Sequence, residues 1–165
     1  MKLLFLKNKK FVLLGIFGIA MGAVEAIVVV YLRELYYPKG FEFPLTLLSL
    51  KFLFIEWIRE ISTIVMLVMI GVTIGKDFLQ KLSYFLYTFA IWDIFYYIWL
   101  KILLNWPSSI FTWDILFLIP VPWIGPVLTP IICSLTMILI TVTIIALEEK
   151  GYKAEVNSHE WCLTF

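Results

Sequence analysis

An all-α bundle of transmembrane helices is the fold class this sequence predicts, and three observations predict it. Apolar residues make up 62% of the 165, against roughly 45–50% in soluble domains even when glycine is counted there. Charged residues are 15%, where about 25% is usual. Predominantly apolar runs recur at or beyond the roughly 20 residues needed to cross a bilayer. A water-soluble fold of this size must cover its surface with polar groups. This chain lacks them, which makes lipid its solvent. Its length suits one domain.

In chain order, a basic N-terminus over residues 1–10 carries Lys2, Lys7, Lys9 and Lys10 and leads into the first span, Phe11 to Leu32. A signal peptide shares that charge pattern, but its apolar core is shorter, roughly 7–15 residues, and ends in a cleavage region that is not evident here. Arg33 to Pro44 reads as a loop with interfacial tyrosines, Tyr36 and Tyr37. Leu45 to Gly75 is longer than one straight span requires, so it is tilted or begins at the interface. Lys76, Asp77, Gln80 and Lys81 form a polar turn before the third span, Leu82 to Leu104, roughly 34 Å long at helical rise.

Asn105 to Pro126 is apolar but contains Pro107, Pro120, Pro122 and Pro126. Proline removes a backbone donor and pushes its predecessor out of the helical region. A short helix from about Pro107 to Leu118 is predicted, with Pro107 in its first turn. Ile119 to Pro126 is then extended. Bare extended backbone cannot face lipid, so this segment is expected at the interface or buried as a re-entrant element. The fourth span runs from about Val127 to Leu147, which closes a bundle over residues 11–147. Residues 148–165 form a polar tail.

Lysine and arginine set the orientation. With the N-terminus inside, four spans place both termini in the cytoplasm. The inner side then holds Lys76, Lys81, Lys150 and Lys153 besides the N-terminal lysines, while the outer loops hold Arg33 and Lys39. That is a positive-inside distribution, expected of a multi-pass protein of the cell membrane.

Several function classes fall away on composition. A net charge of +1 gives no global field for nucleic acid. Cys133 and Cys162 make no disulfide or metal pattern. His159 is the single histidine, too few for a bis-histidine haem or the usual zinc site. No cofactor and no metal are expected.

The informative residues are ionisable groups within the spans. A charge at mid-bilayer costs about 2.5–3.5 kcal/mol on insertion scales, so such residues face a protein interior or a wet cavity and point to function. Glu56, Arg59 and Glu60 share one helix face, at i, i+3 and i+4, with Thr63 one turn further. Glu25 lies in the outer part of span one. Asp93 is near the middle of span three, with Tyr97 and Lys101 following at i+4 and i+8. Asp114 comes from the Pro-rich segment, where it can also simply cap the short helix. Four acids in the spans (Glu25, Glu56, Glu60, Asp93) exceed two bases (Arg59, Lys101), so fixed pairing does not account for them all. A carboxylic acid in apolar surroundings can be held protonated and can donate its proton. Glu25, Glu60 and Asp93 are the candidate proton donors or acceptors. Glu56, Arg59, Tyr97, Lys101, Asp114 and Trp123 are the candidate ligand-binding residues. Aromatics such as Tyr96, Trp99, Trp106 and Trp113 gather toward the outer side, where an interfacial belt explains most of them. Gly15, Gly18, Gly22 and Ala26 give span one a small-residue face, including a GxxxG pair that lets helices approach closely.

The stretch Trp92 to Lys101, then Trp106-Pro107 and Asp114 to Val127, resembles a family of small prokaryotic multi-pass membrane proteins over roughly residues 20–135. The resemblance implies a helical membrane fold and no particular activity. A looser likeness runs to membrane terpene cyclases, which protonate isoprenoids with intramembrane carboxylic acids; it carries no residue-by-residue match.

The expected function is a buried acidic and aromatic pocket in the outer half of the bilayer. It would bind a membrane lipid or other hydrophobic small molecule, with acid–base chemistry as an extension. Two alternatives stand beside it. One is a non-catalytic subunit joined to a larger membrane complex through the glycine face of span one. The other is a small proton-coupled transporter acting as a homo-oligomer.

Overall fold

The computed structural model describes residues 9–37, 41, 49–119 and 121–149. Lys2, Lys7, Lys39, Pro120 and the tail from Lys150, with His159 and Cys162, lie outside the described residues. Four helices and one hairpin make up the described fold: α1 (Lys9–Tyr36), α2 (Leu50–Ile74), α3 (Phe78–Leu104), β1 (Trp113–Phe117), β2 (Trp123–Pro126) and α4 (Leu128–Glu149).

Helix α3 is the axis. α1, α2 and α4 each pack on it and scarcely on one another. The small-residue face of α1 makes this possible. A Cβ added at Gly18 would stand 3.1 Å from the Thr88 carbonyl oxygen, and one at Gly22 2.9 Å from that of Trp92. The face expected to dock a partner is therefore occupied by the chain's own α3. A GxxxG pattern specifies close approach and not the identity of the neighbour.

At one end of the bundle α2 turns tightly into α3. Asp77 caps α3 by accepting from the Gln80 amide at 2.9 Å, which satisfies one of the free donors of the first turn. Helix α3 thus starts at Phe78, and Gln80 and Lys81 belong to it instead of to a loop. Phe11 and Leu14 of α1 pack with Tyr84 of α3 and with Ile70 and Ile74 of α2, which closes this end.

At the other end α3 stops at Leu104, with Asn105 as its left-handed cap at φ 51°, a conformation asparagine tolerates. The short helix predicted from Pro107 to Leu118 does not form. Trp113–Phe117 is a strand, paired antiparallel with Trp123–Pro126, with an irregularity between Ile115 and Phe117. The backbone groups on the facing edges are paired across the hairpin, which meets part of what an apolar setting requires.

Large apolar side chains remain exposed along the helices, among them Leu13 and Val24 on α1, Phe54 and Ile61 on α2, and Leu135 and Leu139 on α4. Soluble monomers rarely carry apolar surface on this scale. Lys9–Tyr36, Phe78–Leu104 and Leu128–Glu148 are long and apolar enough to cross a membrane, consistent with a membrane protein. Helix α2 has 25 residues and carries Lys51, Glu56, Arg59 and Glu60 in its first half.

Candidate functional site: an acidic cavity under the hairpin

Glu25 lies eleven residues from the end of α1, Glu60 ten from the start of α2, and Asp93 eleven from the end of α3. At helical rise each is roughly 15 Å from the hairpin end of the bundle, so three helices bring acids to one depth. Around them is a cavity of about 290 Å³, walled by α1, α2, α3 and the hairpin. That is close to the lower end of the range for small-molecule sites, about 300–1,000 Å³.

Arg59 holds one wall together. Its Nε donates to Glu56 Oε2 at 2.7 Å, and its Nη1 pairs with Glu25 across the gap between α2 and α1. Thr63 Oγ1 donates to the other oxygen of Glu25 at 3.5 Å. The helical spacing of Glu56 and Arg59 explains the first contact. The second is a tertiary contact between α1 and α2.

Two further acids line the cavity without a salt bridge among the described residues, although the Arg59 charge acts on Glu60. Both oxygens of Glu60 accept from the Leu118 amide of the hairpin, at 2.9 and 3.1 Å. Asp93 Oδ2 accepts from Ser134 Oγ of α4 at 2.7 Å. These neutral donors stabilise a carboxylate less than a guanidinium would.

Asp114 belongs to a separate lock. It is not a helix cap: it sits on β1, 2% exposed. Arg33 Nη2 donates to its Oδ1 at 3.2 Å and the Tyr97 hydroxyl to its Oδ2 at 3.3 Å. Burial pushes the Asp114 carboxyl up to about 6, against the opposing pull of Arg33. The Arg33 guanidinium lies over the Trp106 ring at 3.7 Å and the Phe41 ring at 4.4 Å, a geometry that favours a partly desolvated cation. Arg33 was expected in a loop. It is in the last turn of α1 and buried. The signal was present in the sequence, because Arg33 falls seven residues after Ala26 and so continues the small-residue face.

Two expected residues are elsewhere. Lys101 is exposed and donates to the carbonyls of Asn105 and Pro107 at 3.2 and 3.1 Å. Eight residues on a helix accumulate about 80° of rotation, which carries Lys101 off the face that Asp93 and Tyr97 share. Trp123 is 58% exposed on β2 and is not among the cavity's lining residues. Among the described residues, no group of three acids, histidines or cysteines is placed to hold a metal ion.

Comparison with known protein families, with curated proteins and with solved structures returns no match. The functional reading therefore rests on this geometry.

Proposed function

We propose that the protein is a four-span protein of the cell membrane, with both termini cytoplasmic, whose cavity binds a hydrophobic or lipid-like small molecule in the outer half of the bilayer. The observation that carries this reading is the pair of acids, Glu60 and Asp93, that line the cavity with no salt bridge among the described residues. Buried charge without compensation is costly, and a ligand or an exchangeable proton supplies what the protein withholds. Helix α2 is the fourth span, its charged face turned to the cavity and its apolar face to lipid. The hairpin is an interfacial or re-entrant cover. Acid–base chemistry by Glu60 or Asp93 on a bound ligand is the extension of this reading, with Glu25 held more firmly by Arg59.

The non-catalytic subunit reading loses the surface it relied on, since Gly18 and Gly22 face α3. Mass spectrometry of small molecules that co-purify in mild detergent tests the proposal. A stoichiometric amphiphile is expected. A bare protein that co-purifies instead with a stable protein partner would favour the subunit reading. Labelling of Lys39→Cys and Lys153→Cys tests the topology, and the two should report opposite sides.

A further inference from the structure

At the turn end, side chains of α1 and α2 share one apolar cluster, through Phe11, Leu14, Ile70 and Ile74. Toward the hairpin end, among the described residues, two rungs link them. The lower rung is Glu25 with Arg59 and Thr63. The upper rung is the edge-on contact of Tyr36 with Phe52, ring centroids 5.6 Å apart. Glu25 and Tyr36 are eleven residues apart on α1, roughly 16 Å, and Phe52 and Arg59 seven apart on α2, roughly 10 Å. Between the rungs the cavity is lined by Val29, Leu32 and Arg33 on one side and by Leu53 and Glu56 on the other. Arg33 and Glu56 are buried and ion-paired, so the half-buried members Val29, Leu32 and Leu53 make this part of the wall an apolar window. It faces the side of the bundle where lipid would lie. The end of the bundle, by contrast, is covered by a hairpin tied down at Glu60 and at Asp114.

We infer that the cavity is loaded sideways from the bilayer through this window, and that its ligand is a single-chain amine whose ammonium head lies against Asp93 and Glu60 while its chain passes between Val29 and Leu53. This rests on the reading of the cavity as a binding site and adds its access route and ligand class. The head is assigned by charge. Five carboxyl groups line the cavity against the guanidiniums of Arg33 and Arg59, and both guanidiniums already have carboxylate partners. The chain is assigned by the window, because a polar solute gains nothing from an apolar opening onto lipid, whereas an alkyl chain keeps its surroundings apolar throughout. Arg59 sits where head and window meet, so it limits how far a head can sink along α1.

The test uses the full chain in lipid nanodiscs and a long-chain primary amine bearing a diazirine midway along its chain. After irradiation, adducts are mapped by peptide mass spectrometry. The expected result is labelling at Val29, Leu32 or Leu53, suppressed by excess unlabelled amine. A carboxylate of the same chain length should compete on the order of tenfold less well, the equivalent of about 1.4 kcal/mol of lost ion pairing. Saturable labelling confined to the hairpin, residues 113–119, would overturn the sideways route while leaving the site. Equal competition by the carboxylate would overturn the ammonium head. Labelling scattered over the exposed helix faces, with no competition, would remove the binding site itself. A Leu53→Trp variant that melts like the wild type should load several-fold more slowly, and unchanged loading would count against the window.

Discussion

The two ends of this bundle are built on opposite terms. At the turn end, α1, α2 and α3 are drawn together by apolar side chains and by backbone contact: a Cβ at Gly71 would lie 2.6 Å from the Lys81 carbonyl oxygen. At the hairpin end α1 and α3 stay packed through Ala26, Tyr97 and Leu100, but α2 is joined to α1 across the cavity by the Arg59–Glu25 ion pair and the Tyr36–Phe52 contact, and the hairpin is tied to α1 by Arg33 and Asp114. Close packing stabilises without leaving room for a ligand. Side-chain bridges hold helices at a fixed distance and leave a void between them. The difference separates a structural half from a half arranged around a cavity.

The largest expected effect breaks the packed end. Gly71→Leu places a side chain where backbone already stands, and overpacking of this kind costs about 1–3 kcal/mol or more. Thermal unfolding in detergent should show a large loss of stability, and ligand retention should fall only in proportion to the folded fraction.

Next comes the ionic end. Arg59→Leu leaves Glu25 and Glu56 facing each other without a cation. Removing one partner of a buried pair costs about 3–5 kcal/mol, and the partial exposure of this one reduces that to roughly 2 kcal/mol. Unlike Gly71→Leu, it should alter ligand binding in protein that remains folded. Equal effects of the two variants on binding per folded molecule would erase the distinction between the ends.

A smaller effect concerns pH. The Asp114 carboxyl titrates near 6 in the folded protein, above its ordinary value of 3.8. The folded state therefore holds this proton more tightly than the unfolded one. The associated stability is fully present below about pH 4 and is lost as pH rises through 6. Asp114→Asn should flatten that part of the stability–pH profile and loosen the hairpin, which faster amide exchange at residues 113–117 would report.

The smallest effect is at Lys101. Its ammonium reaches only the carbonyls of Asn105 and Pro107 at the helix end, so Lys101→Met should shift stability by no more than about 0.5 kcal/mol. A loss comparable with that of Arg59→Leu would mean the cavity extends to this side.

Much of this was legible in the sequence, for physical reasons. The apolar runs announced the helices, because length and hydropathy are set by the solvent. The i, i+3, i+4 spacing announced the Glu56–Arg59–Glu60 face, because helical geometry is fixed. The hairpin was not legible. Trp113 to Phe117 is a short apolar run, and periodicity cannot tell a buried strand from a turn of helix at that length. Bulky residues bounded by Pro107 on one side and Pro120 and Pro122 on the other were the available sign. Arg33 was missed because the apolar run ends one residue before it, while the helix continues to Tyr36. The Glu25–Arg59 bridge needed knowledge of how far apart two helices stand, which no local pattern encodes.

The most direct measurement of the central claim is native mass spectrometry of the protein released from mild detergent, with the wild type, a Glu60→Gln/Asp93→Asn double variant and Lys101→Met run in parallel. The account predicts one bound amphiphile on the wild type and on Lys101→Met, and its loss from a double variant that still melts cooperatively. Retention of the same ligand by all three would contradict it.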